Sequence, residues 1–288
     1  MYSETPKILH TILGKPLITF VVDLSHNINS GEIICVVSRY ARDVRRVLGR
    51  TVTYAVQPVP RGTGDAALKG ITKAHNNSVL ILYGDVPLLQ PTTIQNLIKH
   101  HNTHNAALTF LTCKVADPFG YGRILRHRSK VRGIVEQGDA TPQQQRIREI
   151  NTGIYYGSTS LMVDALRSLT TDNKQKELYL TDVVRVLLKR KKRVIGFMIN
   201  NENEIIGINS KAELARARRI VKKEWYARLM QQGVYIEDPD TTTIDLSVHI
   251  GDNVRIRPNT VIEGNTTIAS NSVIGPFAWI RNGKKRST

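Results

Sequence analysis

An isoleucine recurs every six residues without a miss, at Ile244, Ile250, Ile256, Ile262, Ile268, Ile274 and Ile280. Two positions before each stands a small or β-branched residue: Thr242, Val248, Val254, Thr260, Thr266, Ser272 and Ala278. This period matches neither the 3.6-residue turn of a helix nor the two-residue alternation of a strand. It is the signature of a parallel β-helix, each isoleucine pointing inward from a short flat strand, whereas an isoleucine-rich meander would keep no fixed period. A triangular coil consumes roughly three hexads, so a left-handed solenoid of little more than two coils is expected, beginning near Ile244.

From Glu32 to about Asn209 the pattern is different. Apolar β-rich runs at Ile33 to Val37, Val52 to Val56 and Val79 to Tyr83 alternate with helical patterns at Ala41 to Leu48 and Thr63 to Ala74. That alternation predicts an α/β domain with β-α-β crossovers and a largely parallel, Rossmann-like sheet. A helix is expected from Ser210 to Gln232, because Ser210 and Glu213 stand at capping-box spacing. Leu214, Ala217, Val221, Trp225 and Leu229 supply its apolar positions, and Gly233 ends it. The expected organisation is therefore an α/β domain over 1–209, a linking helix over 210–233 and a short hexapeptide β-helix over 234–288.

Charge is the one compositional departure. The chain has 288 residues, 41 of them basic and 24 acidic, for a net charge of +17, which favours anionic partners. Aromatics at 6% offer little for base stacking, and the basic residues are dispersed, so nucleic acid is not the expected partner. The densest basic run, Lys189 to Arg193, follows an apolar helical stretch and reads as a solvated helix end. Cys35 and Cys113 sit in apolar runs, as reduced packing residues do, and the opening segment lacks an apolar signal core; a cytoplasmic protein without a membrane span is expected.

Four segments are candidates for chemistry. Val79 to Pro87 is an apolar strand ending in Gly84-Asp85, where an Asp is either a cation ligand beyond the strand end or an ordinary turn residue. Gln57 to Gly64 is a glycine-containing loop entering a helix, able to cradle an anion or read a base edge, or simply to turn. Phe119 to Arg123 and Glu149 to Gly153 read as glycine-flanked turns beside strands, either of which is compatible with a plain hairpin.

In order and spacing, Pro6 to His10, Gln57 with Gly62-Thr63-Gly64, Leu82 to Pro87, Gly120 to Ile124, Ile134 to Glu136, Glu149 to Gly153, Tyr179 to Asp182 and Gly207 to Asn209 form one set. With the hexad repeat, this set resembles the bacterial bifunctional N-acetylglucosamine-1-phosphate uridyltransferase / glucosamine-1-phosphate acetyltransferase family. The resemblance implies Mg²⁺-dependent uridylyl transfer from UTP to N-acetylglucosamine 1-phosphate, for cell-wall precursor synthesis, and a homotrimer formed through the β-helix. It implies a phosphate-contacting, catalytic role for Lys7, and uracil recognition by Gln57, Gly62 and Thr63. It further implies a sugar-phosphate pocket of Tyr83, Gly122, Glu136, Asn151 and Thr152, with Asp85 and Asn209 as metal ligands.

Two departures from that family are expected to matter. The family begins with a strand and a glycine-rich loop, LxxGxGTRM, and Met1 falls where that motif's last Met would be. Its acetyltransferase site also needs further coils, so reduced uridylyl transfer and no acetyl transfer are the expectations. The alternatives are another sugar-1-phosphate nucleotidyltransferase, or a non-catalytic copy serving as a binding or assembly protein.

Overall fold

The structure, a computed structural model, describes residues 5–38 and 41–285. After a 3-10 turn at Lys7–Leu9 come β1 (Thr11–Ile12), β2 (Lys15–Pro16) and α1 (Leu17–Asn27). They are followed by β3 (Ile34–Val37), α2 (Ala41–Leu48), β4 (Thr53–Val56), α3 (Thr63–Ile71), β5 (Ser78–Ile81) and α4 (Pro91–Thr103). Then come β6 (Leu108–Lys114), β7 (Arg123–His127), β8 (Lys130–Val135), α5 (Pro142–Gln145) and β9 (Glu149–Ser158). The chain continues through α6 (Thr159–Arg167), α7 (Asp182–Lys189), β10 (Val194–Ile199) and α8 (Lys211–Gln231) to the short strands β11 to β19, between Tyr235 and Lys285. Two compact units result: Val21–Ile205, and Met1–Phe20 together with Ile206–Thr288. None of the described helices is long and apolar enough to cross a membrane.

The larger unit is the expected α/β domain, but its sheet is mixed rather than largely parallel. Its order is β10-β6-β9-β7-β8, with β5 also on β9; only β10 runs parallel to its neighbour, and β3 and β4 form a separate parallel pair. Connection length decides strand direction: β7 and β8 are joined by two residues, a link too short for a parallel crossover, with Arg128 taking φ 54° in place of a turn glycine. Helices cover both faces, so β6 is buried throughout except at Lys114. Leu108 and Phe110 pack on one side with Met162, Val183 and Leu187, whereas Leu111 and Cys113 pack on the other with Ile94 and Leu97.

The strand β9 organises the unit. One edge pairs with β6 along its length, and the other is shared, β5 taking Tyr155 to Ser158 and β7 taking Ile150. Glu149 to Gly153, expected as a turn, is instead the first half of this strand. The register on β6 shifts between Phe110 and Thr112, and Gly153 lies at φ +81°, so the strand bulges where its outer edge divides.

In the smaller unit α8 begins as expected: Ser210 Oγ accepts from Glu213 N (3.1 Å), and Glu213 Oε2 accepts from Ser210 N (2.6 Å). It ends before Gly233, which takes φ +87°. The Tyr226 hydroxyl donates to Thr242 O (2.8 Å), tying the helix to the solenoid. The hexads fold as three parallel three-stranded sheets, with Ile236, Ile256 and Ile274 stacked in one, Ile244, Ile262 and Ile280 in another and Ile250 on Ile268 in the third. The first strand is Tyr235–Ile236, before the expected start near Ile244, so each sheet carries three strands where little more than two coils were expected. Ile236 escapes the hexad count because an Asp238-nucleated turn lengthens that corner, Asp238 accepting from Asp240 N (2.9 Å) and from Thr241 Oγ1 (2.8 Å). Asn253, Asn259 and Asn271 sit at positive φ, the backbone a tight corner demands.

Candidate active site

Where the edge of β9 divides between β5 and β7, side chains from separate segments of the larger unit gather. Gly153 lies in the gap, and a Cβ there would drive into the Tyr83 ring, so the glycine is what lets that ring lie against the strand. Thr152 Oγ1 donates to Leu111 O (2.9 Å) and fixes the bulge. Asn151 N donates to Gly122 O (2.8 Å), bringing the 119–122 loop to the same place. The Asn151 side chain faces Tyr155, yet among the described residues neither Asn151 Oδ1 nor the Tyr155 hydroxyl, both buried, has a hydrogen-bond partner of ordinary geometry.

Glu136 follows β8 and turns back into this cluster. Its Oε1 accepts from Thr181 Oγ1 (2.8 Å), while Oε2 lies toward Gly122, where an added Cβ would stand 3.3 Å from it and 3.0 Å from Ile134. Burial pushes the Glu136 carboxyl above the usual carboxylate range, the Thr181 bond acting against it. Burial likewise pushes the Tyr83 hydroxyl up to about 12, with the negative charge of Glu136 adding to the effect. Arg123, almost wholly buried, donates to Tyr121 O and to Gln137 Oε1 (2.6 Å), and Gly120 N donates to that same oxygen (3.2 Å). The loop carrying Gly122 is thereby pinned beside Glu136.

The 57–64 loop is built as firmly. Gln57 N donates to Val37 O (2.8 Å), continuing the β3–β4 ladder, and its side chain reaches Gly62 O and Asp65. Gly62 has φ +107°, and a Cβ on it would stand 2.6 Å from Leu178 O; Gly64 N donates to that carbonyl (2.7 Å). Thr63 Oγ1 accepts from Leu180 N (3.0 Å) and also bonds Tyr83. The segment 178–181 therefore supports both the loop and the Glu136 cluster. Thr181, Asp65, Tyr155 and Arg123 match no spacing motif: Thr181 reaches Glu136 across 45 residues, and the others act through turns or strand geometry that only the fold sets.

Asp85 lies half-buried in the turn after β5, close enough for its charge to be felt by Tyr83. In the smaller unit Lys7 Nζ donates to Asn209 Oδ1 (2.9 Å), an exposed contact across 202 positions of sequence that joins two of the expected site residues. The basic run Lys189 to Arg193 is exposed throughout, running from the last residue of α7 to the start of β10.

A strand-edge cluster of this kind in an α/β unit, followed by a capped helix and a hexad solenoid, defines a class, and comparison with known proteins agrees. The chain matches the nucleotidyl transferase family over residues 2–226, so it belongs to that family, and it matches the bacterial transferase hexapeptide repeats over residues 247–282. It is 41% identical over 278 residues to the bifunctional protein GlmU of Thermoanaerobacter pseudethanolicus, covering 96% of this chain and 61% of that protein. To the bifunctional protein GlmU of Carboxydothermus hydrogenoformans it is 39% identical over 261 residues, covering 90% of this chain and 58% of that protein. The chain thus spans about three fifths of the length of these curated relatives. Among solved structures, a UDP-glucose pyrophosphorylase complexed with UDP-glucose superposes with a TM-score of 0.63 at 18% identity, covering 76% of this chain and 91% of that one. A putative glucose-1-phosphate thymidylyltransferase from Bacillus anthracis gives 0.61 at 20% identity, covering 75% and 86%. At such identities these two share the fold alone.

Proposed function

We propose that the chain transfers a uridylyl group from UTP to N-acetylglucosamine 1-phosphate, giving UDP-N-acetylglucosamine and pyrophosphate. The observation that carries this reading is the cluster at the divided edge of β9. There Tyr83, Gly122, Glu136, Asn151 and Thr152 come together, and Thr63 links Tyr83 to the Gln57 loop. In the reaction a phosphate oxygen of the sugar 1-phosphate attacks the α-phosphorus of UTP, one P–O bond forming as the bond to pyrophosphate breaks. No protein nucleophile is required, so the residues act by positioning and by charge. Glu136, with Oε1 held by Thr181, offers Oε2 to sugar hydroxyls. Lys7, a cation beside Asn209, serves the phosphates.

The donors assigned to a metal, the Asp85 carboxylate and the Asn209 amide oxygen, are hard oxygen ligands of the kind Mg²⁺ takes alongside substrate phosphates. When bound, Mg²⁺ would neutralise charge on the phosphoryl oxygens. A homotrimer through the solenoid and a cytoplasmic setting belong to the same reading. The solenoid exposes Tyr235, Val273, Phe277 and Trp279, and both cysteines are buried and free.

Ligand-observed NMR with UDP-N-acetylglucosamine and UDP-glucose tests the reading, together with a pyrophosphate-release assay in the presence of Mg²⁺. The expected result is tighter binding of UDP-N-acetylglucosamine, with binding lost in Glu136→Ala and pyrophosphate release lost in Asp85→Ala. Binding of neither nucleotide sugar, or a clear preference for UDP-glucose, would overturn it.

A further inference from the structure

The amide of Gln57 has its orientation imposed on it. Gln57 is 8% exposed, and its Nε2 lies 2.7 Å from Asp65 Oδ2 and 3.3 Å from Gly62 O. A carboxylate and a backbone carbonyl only accept, so the group facing both must be the NH₂, and both of its protons are used. The carbonyl Oε1 is what remains to offer a ligand. We infer that Asp65 is a positioning residue that locks Gln57 as an acceptor and so makes this loop select a base carrying a ring N–H, as uracil does at N3, over one carrying a ring lone pair there, as cytosine does.

The inference rests on the nucleotide reading given above and adds the residue that sets base choice. In the pose that pairs Gln57 Oε1 with the N3–H of uracil, cytosine would set two acceptors against each other at a largely buried position, where an unpaired polar contact is costly. The alternative role of Asp65 is local. It stands in the first turn of α3, whose N-cap is Gly62 and has no side chain to cap with, so its charge also favours the helix start. That role acts on stability and is indifferent to the base.

Asp65→Asn separates the two roles. The side chain keeps its shape but can donate as well as accept, which removes the shorter of the two contacts that hold the Gln57 amide, leaving only the 3.3 Å contact with Gly62 O against its turning over to present NH₂ to cytosine. The measurement is the dissociation constants of UTP and CTP for the whole chain, wild type and Asp65→Asn, by ligand-observed NMR, with thermal unfolding recorded alongside. Because a ratio of constants in one protein sample does not depend on the folded fraction, a modest loss of stability does not disturb the result. UTP should be preferred by about tenfold or more in the wild type, with the ratio falling to within about threefold in the variant, mainly because CTP binding improves. A wild type that binds both nucleotides without preference, or a variant that keeps the wild-type ratio, would overturn the role of Asp65 while leaving the nucleotide reading standing. A wild type that binds neither nucleotide overturns the nucleotide reading, and this inference falls with it.

Discussion

Glu136 shows how the site trades stability for binding. Burial raises its carboxyl above the unfolded range, so the folded protein holds the proton more tightly than the unfolded chain does. The associated stability is present in full below the unfolded value, about 4.3, and is lost as pH rises through the folded one. At neutral pH the ionised carboxylate is therefore a net cost. Glu136→Gln should melt higher than wild type at pH 7, the difference shrinking as pH falls toward 4, while its affinity for UDP-N-acetylglucosamine drops. Melting curves across pH check the first part, and an unchanged or lower melting temperature at pH 7 would contradict it. Gly153 is constrained twice, by its φ of +81° and by the Tyr83 ring. Gly153→Ala should cost about 3 kcal/mol or more in denaturant unfolding, the sum of left-handed strain and overpacking; a loss near zero would mean that the ring moves aside freely.

At the scale of elements, the long helix and the solenoid owe their stability to different terms. The capping box of α8 is complete in both directions, so Ser210→Ala should destabilise by about 1 kcal/mol. Ile262 is fully buried at the centre of its stack, between Ile244 and Ile280. Ile262→Ala should cost about 2–5 kcal/mol, since neighbours held in a rigid parallel ladder collapse little into the cavity. Equilibrium urea unfolding distinguishes the two substitutions by size, and equal losses would argue that the hexads pack loosely.

At the scale of the whole molecule, the proposed trimer has an observable cause. On the outer faces of two solenoid sheets, Tyr235, Arg255 and Val273 form one column, and Thr243, Val261 and Trp279 another. Trp279 is 72% exposed, and near it Phe277 is 79% exposed at a corner of positive φ. Sedimentation at micromolar concentration should give a trimer, and Trp279→Lys should shift it toward monomer; a stable wild-type monomer would remove the assembly from the reading.

How much of this was legible beforehand follows from the range of the interactions involved. The hexad of isoleucines and the Ser210/Glu213 box are local patterns, each repeat or cap specifying its geometry within a few residues, and so the solenoid and the start of α8 could be read directly. Ile236 could not, because a two-residue excess in the turn at Asp238 puts it out of phase with the repeat. The mixed sheet was hidden for a related reason: strand direction depends on how the chain returns, and the two-residue link between β7 and β8 carries no glycine to announce a hairpin. The resemblance supplied the site residues one at a time. What only the tertiary structure decided is how they bear on one another: Thr181 on Glu136, Gly153 under Tyr83, Asp65 on the Gln57 amide. Such contacts join different strands, helices and loops, and no period in a sequence encodes the hydrogen-bond orientation of a side chain that is set across space.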